Sequence, residues 1–83
     1  MPQVHQIGGF RIYIYPPPSE HTPAHVHVLK DAGEVVVRIG TGVGLEPYRV
    51  FGSIKRTDVI RAIRIVESIE SQLLEEWRKC HDE

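Results

Sequence analysis

The hydrophobic pattern of this chain of 83 residues changes its period near residue 55. Before that point apolar and polar residues alternate, as in residues 10–15, which is typical of a β-strand that buries one face. From about residue 57 to residue 80 apolar residues recur about every 3.6 positions, which indicates one amphipathic helix. A chain this short buries only about 60% of the surface that it exposes when unfolded, so sheet and helix must share one small core.

We predict an α+β fold, in which a small, mostly antiparallel sheet of three or four strands packs on one long C-terminal helix. Three strands are expected at residues 10–15, 24–30 and 34–39. Residues 31–33 are expected to form a hairpin turn between the last two. A fourth strand is expected within residues 45–51, where Pro47 lacks a backbone N–H and restricts the strand to a sheet edge or a bulge.

The expected organisation is a single domain over residues 1–83. A sheet region spans residues 8–52 and contains a proline-rich connector at residues 16–23. The helix spans about residues 57–80, with Thr57 as its N-cap. A straight helix of that length extends about 36 Å and is therefore longer than the strands on which it packs.

The overhanging end of this helix predicts a homodimer. Leu73, Leu74 and Trp77 would be exposed there unless a second subunit covers them, so they are expected to anchor either a dimer contact or the core. In the alternative, the N-terminal arm or the loop at residues 45–51 covers the same side chains.

Composition excludes several classes of protein. Lys and Arg number 10 against 11 Asp and Glu, and the net charge of −1 argues against a constitutively basic nucleic-acid binder. A single cysteine, the lack of an export signal and the lack of an apolar stretch of about 20 residues predict a cytoplasmic protein that does not contact a membrane.

The face of the sheet that the helix leaves uncovered, here called the open face, is expected to carry the functional side chains. Strand alternation assigns to the opposite, core face Phe10, Ile12, Ile14, Val26, Val28, Val35, Val37 and Ile39. It assigns to the open face Arg11, Tyr13, Tyr15, His25, His27, Glu34 and Arg38. This set of imidazole, guanidinium, aromatic and carboxylate groups predicts a ligand-binding site, to which the preceding segment adds Glu20 and His21.

The first interpretation of these residues is a metal site. His25 and His27 are two residues apart on one strand, so both rings point to the same face and can approach one ion. His21 would add a third nitrogen, and Glu20 would serve as a fourth ligand or as a base. A divalent metal such as zinc at His21, His25 and His27 would make the protein a small metal-dependent hydrolase.

The other interpretations need no metal. Arginine binds phosphate, tyrosine stacks on bases, and imidazole with a carboxylate performs general acid-base chemistry, so the open face could bind RNA or cleave it at a 2′-hydroxyl. Alternatively, the open face is an interface with a second copy or with a protein partner. Spacing alone does not choose among these interpretations. His5 and His81 lie near the termini and have no assigned role.

The histidine segment at residues 20–27 reads EHTPAHVH. Together with FRIYIY at residues 10–15, Gly-Glu at 33–34 and LLEEW at 73–77, it resembles the small bacterial family called domain of unknown function 4160, over about residues 8–80. The family usually has aspartate in place of the glutamate that opens the segment and a second proline in place of its alanine. The resemblance therefore covers nearly the whole chain and keeps the carboxylate.

The resemblance implies a short bacterial protein associated with small paired genes of the toxin-antitoxin type. It also makes His21, His25 and His27 signature residues of the family. We therefore predict a toxin-antitoxin-like component that binds RNA, phosphate or a protein partner through the open face. The alternatives are the metal-dependent hydrolase and a purely structural, dimeric interaction module.

Overall fold

The computed structural model describes residues 3–15, 23–40 and 47–81. Within them, five strands form one antiparallel sheet in chain order. The strands are β1 Gln3–Ile7, β2 Phe10–Tyr13, β3 His25–Lys30, β4 Gly33–Arg38 and β5 Pro47–Gly52. The helices are α1 Arg56–Ser68 and α2 Glu70–His81. The α+β class is confirmed, whereas the prediction of three or four strands and one long helix is wrong.

The strand that the sequence pattern did not reveal is β1, which pairs with β2 across a turn of two glycines. Gly8 and Gly9 have φ of 52° and 83°, a region that residues with a Cβ rarely adopt. Positive φ at both central residues gives the turn a twist that matches antiparallel strands. The register of β1 shifts between Gln3 and His5, so its apolar residues do not alternate and periodicity gives no signal.

The predicted hairpin and the predicted last strand are both present. Asp31 and Ala32 connect β3 to β4, and Asp31 has a φ of 52°. The final strand, β5, begins at Pro47 and lies at the edge of the sheet. Its register against β4 shifts between Val36 and Val37, opposite this proline end. Pro47 thus lies both at an edge and beside an irregularity, where a missing N–H breaks no ladder bond.

The helical part of the chain bends at Ile69, whose φ of −126° and ψ of 23° lie outside the helical region. Just before the bend, the Ser68 hydroxyl donates to the Ile65 carbonyl oxygen at 2.7 Å, a bond that competes with the helical ladder and often bends helices. A straight helix over residues 56–81 would extend about 39 Å. The longest dimension of the protein is 34 Å, so the bend keeps the second helix on the sheet.

The first helix begins slightly earlier than expected. Its N-cap is Lys55, which makes no side-chain capping bond, so the prediction of Thr57 as the N-cap is wrong. Asp58 lies in the first turn, and its carboxylate is 3.8 Å from the Lys30 Nζ atom. A negative side chain in the first turn interacts favourably with the helix dipole. Asp58 therefore stabilises the start of α1 in the absence of a capping hydroxyl.

One core lies between the core face of the sheet and both helices. Its buried members are Phe10, Ile12, Ile14, Val26, Val28, Val35, Val37, Ile39, Ala62, Val66, Leu73 and Trp77. Leu73 is 0% exposed and Trp77 is 1% exposed in the single chain, so the overhang expected of a straight helix does not occur. The homodimer stays a prediction, but the exposed apolar helix end from which it was derived does not occur. Neither described helix combines the length and the apolar character that crossing a membrane requires.

We expect Leu73→Ala to lower the free energy of unfolding by about 2–5 kcal/mol, because it removes apolar contacts and leaves a cavity in the core. Ile60→Ala, at a residue of α1 that is 42% exposed, is the matched control and should cost less than about 1 kcal/mol. Urea denaturation followed by circular dichroism measures both losses. Equal losses in the two variants would contradict the packing of α2 on the core.

Candidate functional site

Strand register arranges the side chains of the open face in three rows across the sheet. One row consists of Tyr13, His27, Val36 and Arg49. The next row consists of Arg11, Leu29, Glu34 and Phe51. A third row pairs His25 with Arg38. The structure therefore brings the predicted open-face residues of β2, β3 and β4 onto one surface and adds Arg49 and Phe51, which sequence analysis did not place there.

Six rings form a continuous series, here called the ring ladder, which runs from the open face to α2. Its members in order are Tyr13, Tyr15, His27, His25, Trp77 and His81. Successive ring centroids are separated by 6.0, 4.8, 5.2, 5.2 and 3.6 Å. The first and last pairs are stacked, and His27 meets both of its neighbours edge to face, which are favourable aromatic geometries. The rings of His25 and Trp77 are tilted by 50° to each other.

His25 connects the open face to the core. It occupies an open-face position of β3, yet it is only 9% exposed because its ring lies against Trp77 of α2. Its Nδ1 lies 2.9 Å from the Pro23 carbonyl oxygen. A carbonyl oxygen can only accept, so this contact assigns the hydrogen to Nδ1 and fixes the orientation of the ring. The helix thus covers one end of the face that was predicted to be fully open.

His27 forms the strongest polar contact of the site. Its Nδ1 lies 2.5 Å from the Glu34 Oε2, and the two residues are diagonal neighbours on adjacent strands. The side chains are 13% and 30% exposed, so the pair is partly shielded from water. A carboxylate accepts from Nδ1–H and thereby favours the tautomer with its lone pair on Nε2. Glu34 therefore orients the His27 ring and selects its tautomer.

His81 is a member of the site that sequence analysis left without a role. Its Nδ1 lies 3.0 Å from the Trp77 carbonyl oxygen, one helical turn earlier. The buried atoms Trp77 Nε1 and His81 Nε2 have no hydrogen-bond partner among the residues that the structure describes. The spacing of four residues, which places both side chains on one side of a helix, could have indicated the pair. The pair was missed because the helix was predicted to end at residue 80, before His81.

The open face has a positive charge surplus that the net charge of the chain conceals. Among the described residues its strands carry Arg11, Arg38 and Arg49 and the carboxylate of Glu34, and the Asp31 carboxylate lies beside Glu34 at the end of the sheet. Other carboxylates of the described residues are exposed on the helices, among them Glu67 of α1 and Glu75 of α2. The described strands of the open face thus hold more arginines than carboxylates, although the chain as a whole has a charge of −1.

A shallow cavity of about 230 Å³ adjoins the His27–Glu34 pair at the end of the sheet near the β3–β4 turn. Its lining includes Leu29, Gly33, Glu34 and Phe51. The ring of Phe51 is 47% exposed, so one aromatic surface is available beside the carboxylate. The cavity therefore offers an apolar contact surface next to the most polar group of the open face.

The remaining predicted site residues lie outside the described part of the chain. These are Glu20 and His21, which belong to the proline-rich connector. Among residues 3–15, 23–40 and 47–81, no group of three or more His, Cys, Asp or Glu side chains is arranged to hold a metal ion. Because the predicted zinc site needs His21 as its third ligand, that site stays a prediction.

A family model described as a domain of unknown function, DUF4160, matches residues 9–78. The chain belongs to this family. The matched region of the DUF4160 domain runs from β2 to near the end of α2 and includes every member of the ring ladder except His81. No curated protein and no solved structure matches the chain. Family membership thus agrees with the resemblance seen in the sequence and leaves the activity to be inferred from the geometry.

We expect ¹⁵N spectra of the imidazole groups to show His27 of this DUF4160 domain as the Nδ1–H tautomer, because the Glu34 carboxylate accepts that hydrogen. Glu34→Gln should reduce the population of this tautomer, since a carboxamide presents a donor as well as an acceptor. Glu75→Gln, on the exposed side of α2, is the control and should leave the His27 signals unchanged. The same His27 tautomer in wild type and Glu34→Gln would contradict the assignment.

Proposed function

We propose that the open face binds single-stranded RNA. The observation that carries the proposal is that the open-face end of the ring ladder, with Tyr13 and His27, lies on the same surface of a five-stranded sheet as three arginines. Sheet surfaces that bind single strands commonly stack bases on exposed aromatic rings and hold the phosphates with positive side chains. Both kinds of group are present here at neighbouring positions.

Aromatic side chains lie on two separate strands of the open face, where Phe51 is exposed and Tyr13 is half-buried. Tyr13 lies on β2 and Phe51 lies on β5, so the two rings are three strand spacings apart, or about 14 Å. Different bases of one extended strand can therefore contact them at the same time. Between them lies the His27–Glu34 pair, whose imidazole and carboxylate can form hydrogen bonds with a ribose hydroxyl or a base edge.

The arginines supply the charge that the backbone of RNA requires. Arg11, Arg38 and Arg49 are distributed over three strands, so they can contact successive phosphates along a bound strand. Such a surface is compatible with the toxin-antitoxin type of gene pair that the family resemblance implies.

We expect Tyr13→Ala and Arg11→Ala each to weaken binding of a labelled single-stranded RNA decamer, measured by fluorescence anisotropy. Loss of one stacking ring should cost about 1–3 kcal/mol of binding free energy. Loss of the arginine should also make binding less dependent on salt, because fewer counterions are released. Arg61→Ala, on the exposed side of α1, is the matched control and should leave the affinity unchanged.

Two results would contradict RNA binding by the open face. One is an equal loss of affinity in Arg61→Ala and Arg11→Ala, which would indicate nonspecific attraction. The other is the absence of chemical-shift changes at Arg11, Tyr13, His27 and Arg38 when RNA is added to the full chain. If shifts at these residues arise with a copurifying protein and never with RNA, the face is a protein interface.

A further inference from the structure

We propose that the open face also cleaves the RNA that it binds, with His27 as a general base at a ribose 2′-hydroxyl and Glu34 as its positioning residue. The inference rests on the proposed function, because RNA must first bind to this face. It extends that function by assigning a reaction and a group that performs it.

The contact between His27 and Glu34 is of the kind that prepares an imidazole for proton transfer. The Nδ1–Oε2 distance of 2.5 Å fixes the ring, and donation from Nδ1 leaves the lone pair of the neutral imidazole on Nε2. When Nε2 takes up a proton, the ring keeps its Nδ1–H bond to the Glu34 carboxylate and so its orientation. A base oriented by an adjacent carboxylate is a recurring arrangement in enzymes that activate a hydroxyl group.

Strand register surrounds this imidazole with the charges that the reaction needs. Arg11 is a diagonal neighbour of His27 on β2, and Arg38 and Glu34 are diagonal neighbours on β4. Such neighbours lie about 7–8 Å apart, within reach of long side chains. A phosphate held by either guanidinium is therefore close to the base. The negative charge that develops on the phosphoryl oxygens would be stabilised by the same arginines.

The cavity beside Glu34 provides a place for the adjoining base. It lies one row away from His27 and is lined by Leu29 and the exposed ring of Phe51. A base that stacks on Phe51 would place its ribose toward the His27–Glu34 pair. This arrangement orients the 2′-hydroxyl before reaction, and orientation of the reacting groups accounts for much of the rate enhancement of enzymes.

The step is a transesterification within the RNA strand. His27 Nε2 takes the proton of the 2′-hydroxyl, and the 2′-oxygen forms a bond to the adjacent phosphorus. The bond between phosphorus and the 5′-oxygen of the next nucleotide breaks, and that oxygen takes a proton from water. His27 then returns its proton to the hydroxide that remains. The products are a 2′,3′-cyclic phosphate and a 5′-hydroxyl end, and no oxidant, reductant or metal takes part.

The test uses the full chain and two labelled decamers of the same sequence, one of RNA and one with a 2′-O-methyl group on every ribose. Binding is measured by anisotropy with the methylated strand, which cannot react. Cleavage of the RNA strand is measured under single-turnover conditions with EDTA present, and mass spectrometry identifies the ends. We expect both strands to bind and only the RNA to be cut, with 2′,3′-cyclic phosphate ends.

Three variants and a control separate the roles of the residues. His27→Gln should lower the cleavage rate constant at saturating protein by about 10²–10⁴-fold, the usual contribution of a general base. Its affinity for the methylated strand should fall far less, since the variant loses at most one hydrogen bond to the RNA. Glu34→Gln should lower the rate constant at saturating protein by a larger factor than it lowers the affinity, and Glu34→Asp should restore part of the rate. Arg61→Ala, purified in the same way, should cleave like the wild type and thereby excludes a contaminating nuclease. Circular dichroism checks that each variant is folded.

The possible failures are distinguishable. If the methylated strand binds and the RNA stays intact, the cleavage proposal is wrong and RNA binding stands. If neither strand binds, both proposals are wrong. Cleavage that persists in His27→Gln, or that EDTA abolishes, would overturn the assignment of His27 as a metal-free general base.

Discussion

The packing of Trp77 on the end of the sheet is the contact on which the rest of the structure depends. It is possible only because the helical segment bends at Ile69. Directly after the bend, the Glu70 Oε2 accepts the backbone N–H of Gly40 at 2.6 Å and ties α2 to the end of β4. An added Cβ at Gly40 would lie 3.3 Å from the Leu74 Cδ1, so the backbone approaches the helix closely here. Because of the bend, both helices pack on the sheet, although a straight helix of the same length would extend beyond it.

The imidazoles of the site follow a common arrangement. His25, His27 and His81 each direct Nδ1 to an oxygen acceptor, which is a carbonyl in two cases and a carboxylate in the third. Only the carboxylate gives its imidazole a charged partner, so His27 differs chemically from the other two although all three belong to one ring ladder. The carbonyl-bound rings have structural contacts with Trp77, whereas His27 lies toward the middle of the open face. This difference is the reason why the proposed proton transfer is assigned to His27 and to neither of the other two.

Sequence patterns predicted which residues lie on the core face of the sheet better than they predicted the number of its strands. All eight residues that alternation assigned to the core face are buried, because a strand that packs against a helix must alternate. The edge strand β1 was missed because its register is irregular, so its apolar and polar residues need not alternate. The bend at Ile69 was missed because apolar spacing continues through it, and only the dimensions of the sheet make a straight helix impossible. The contact of His25 with α2 and the role of His81 follow from that bend, so neither could be derived from strand alternation.

Trp77 belongs to both the core and the ring ladder. Ligand binding at the open face is therefore linked to the docking of α2 on the sheet. A ligand that requires the observed positions of His25 and His27 binds only when the helix is docked, so it stabilises the docked form by mass action. At a free concentration one hundred times its dissociation constant, such a ligand contributes about 2.7 kcal/mol. Conversely, local opening of the C-terminal helix would remove the support of His25 and release the ligand. Occupancy of the sheet surface and protection of the amide hydrogens of α2 are therefore two measures of one equilibrium.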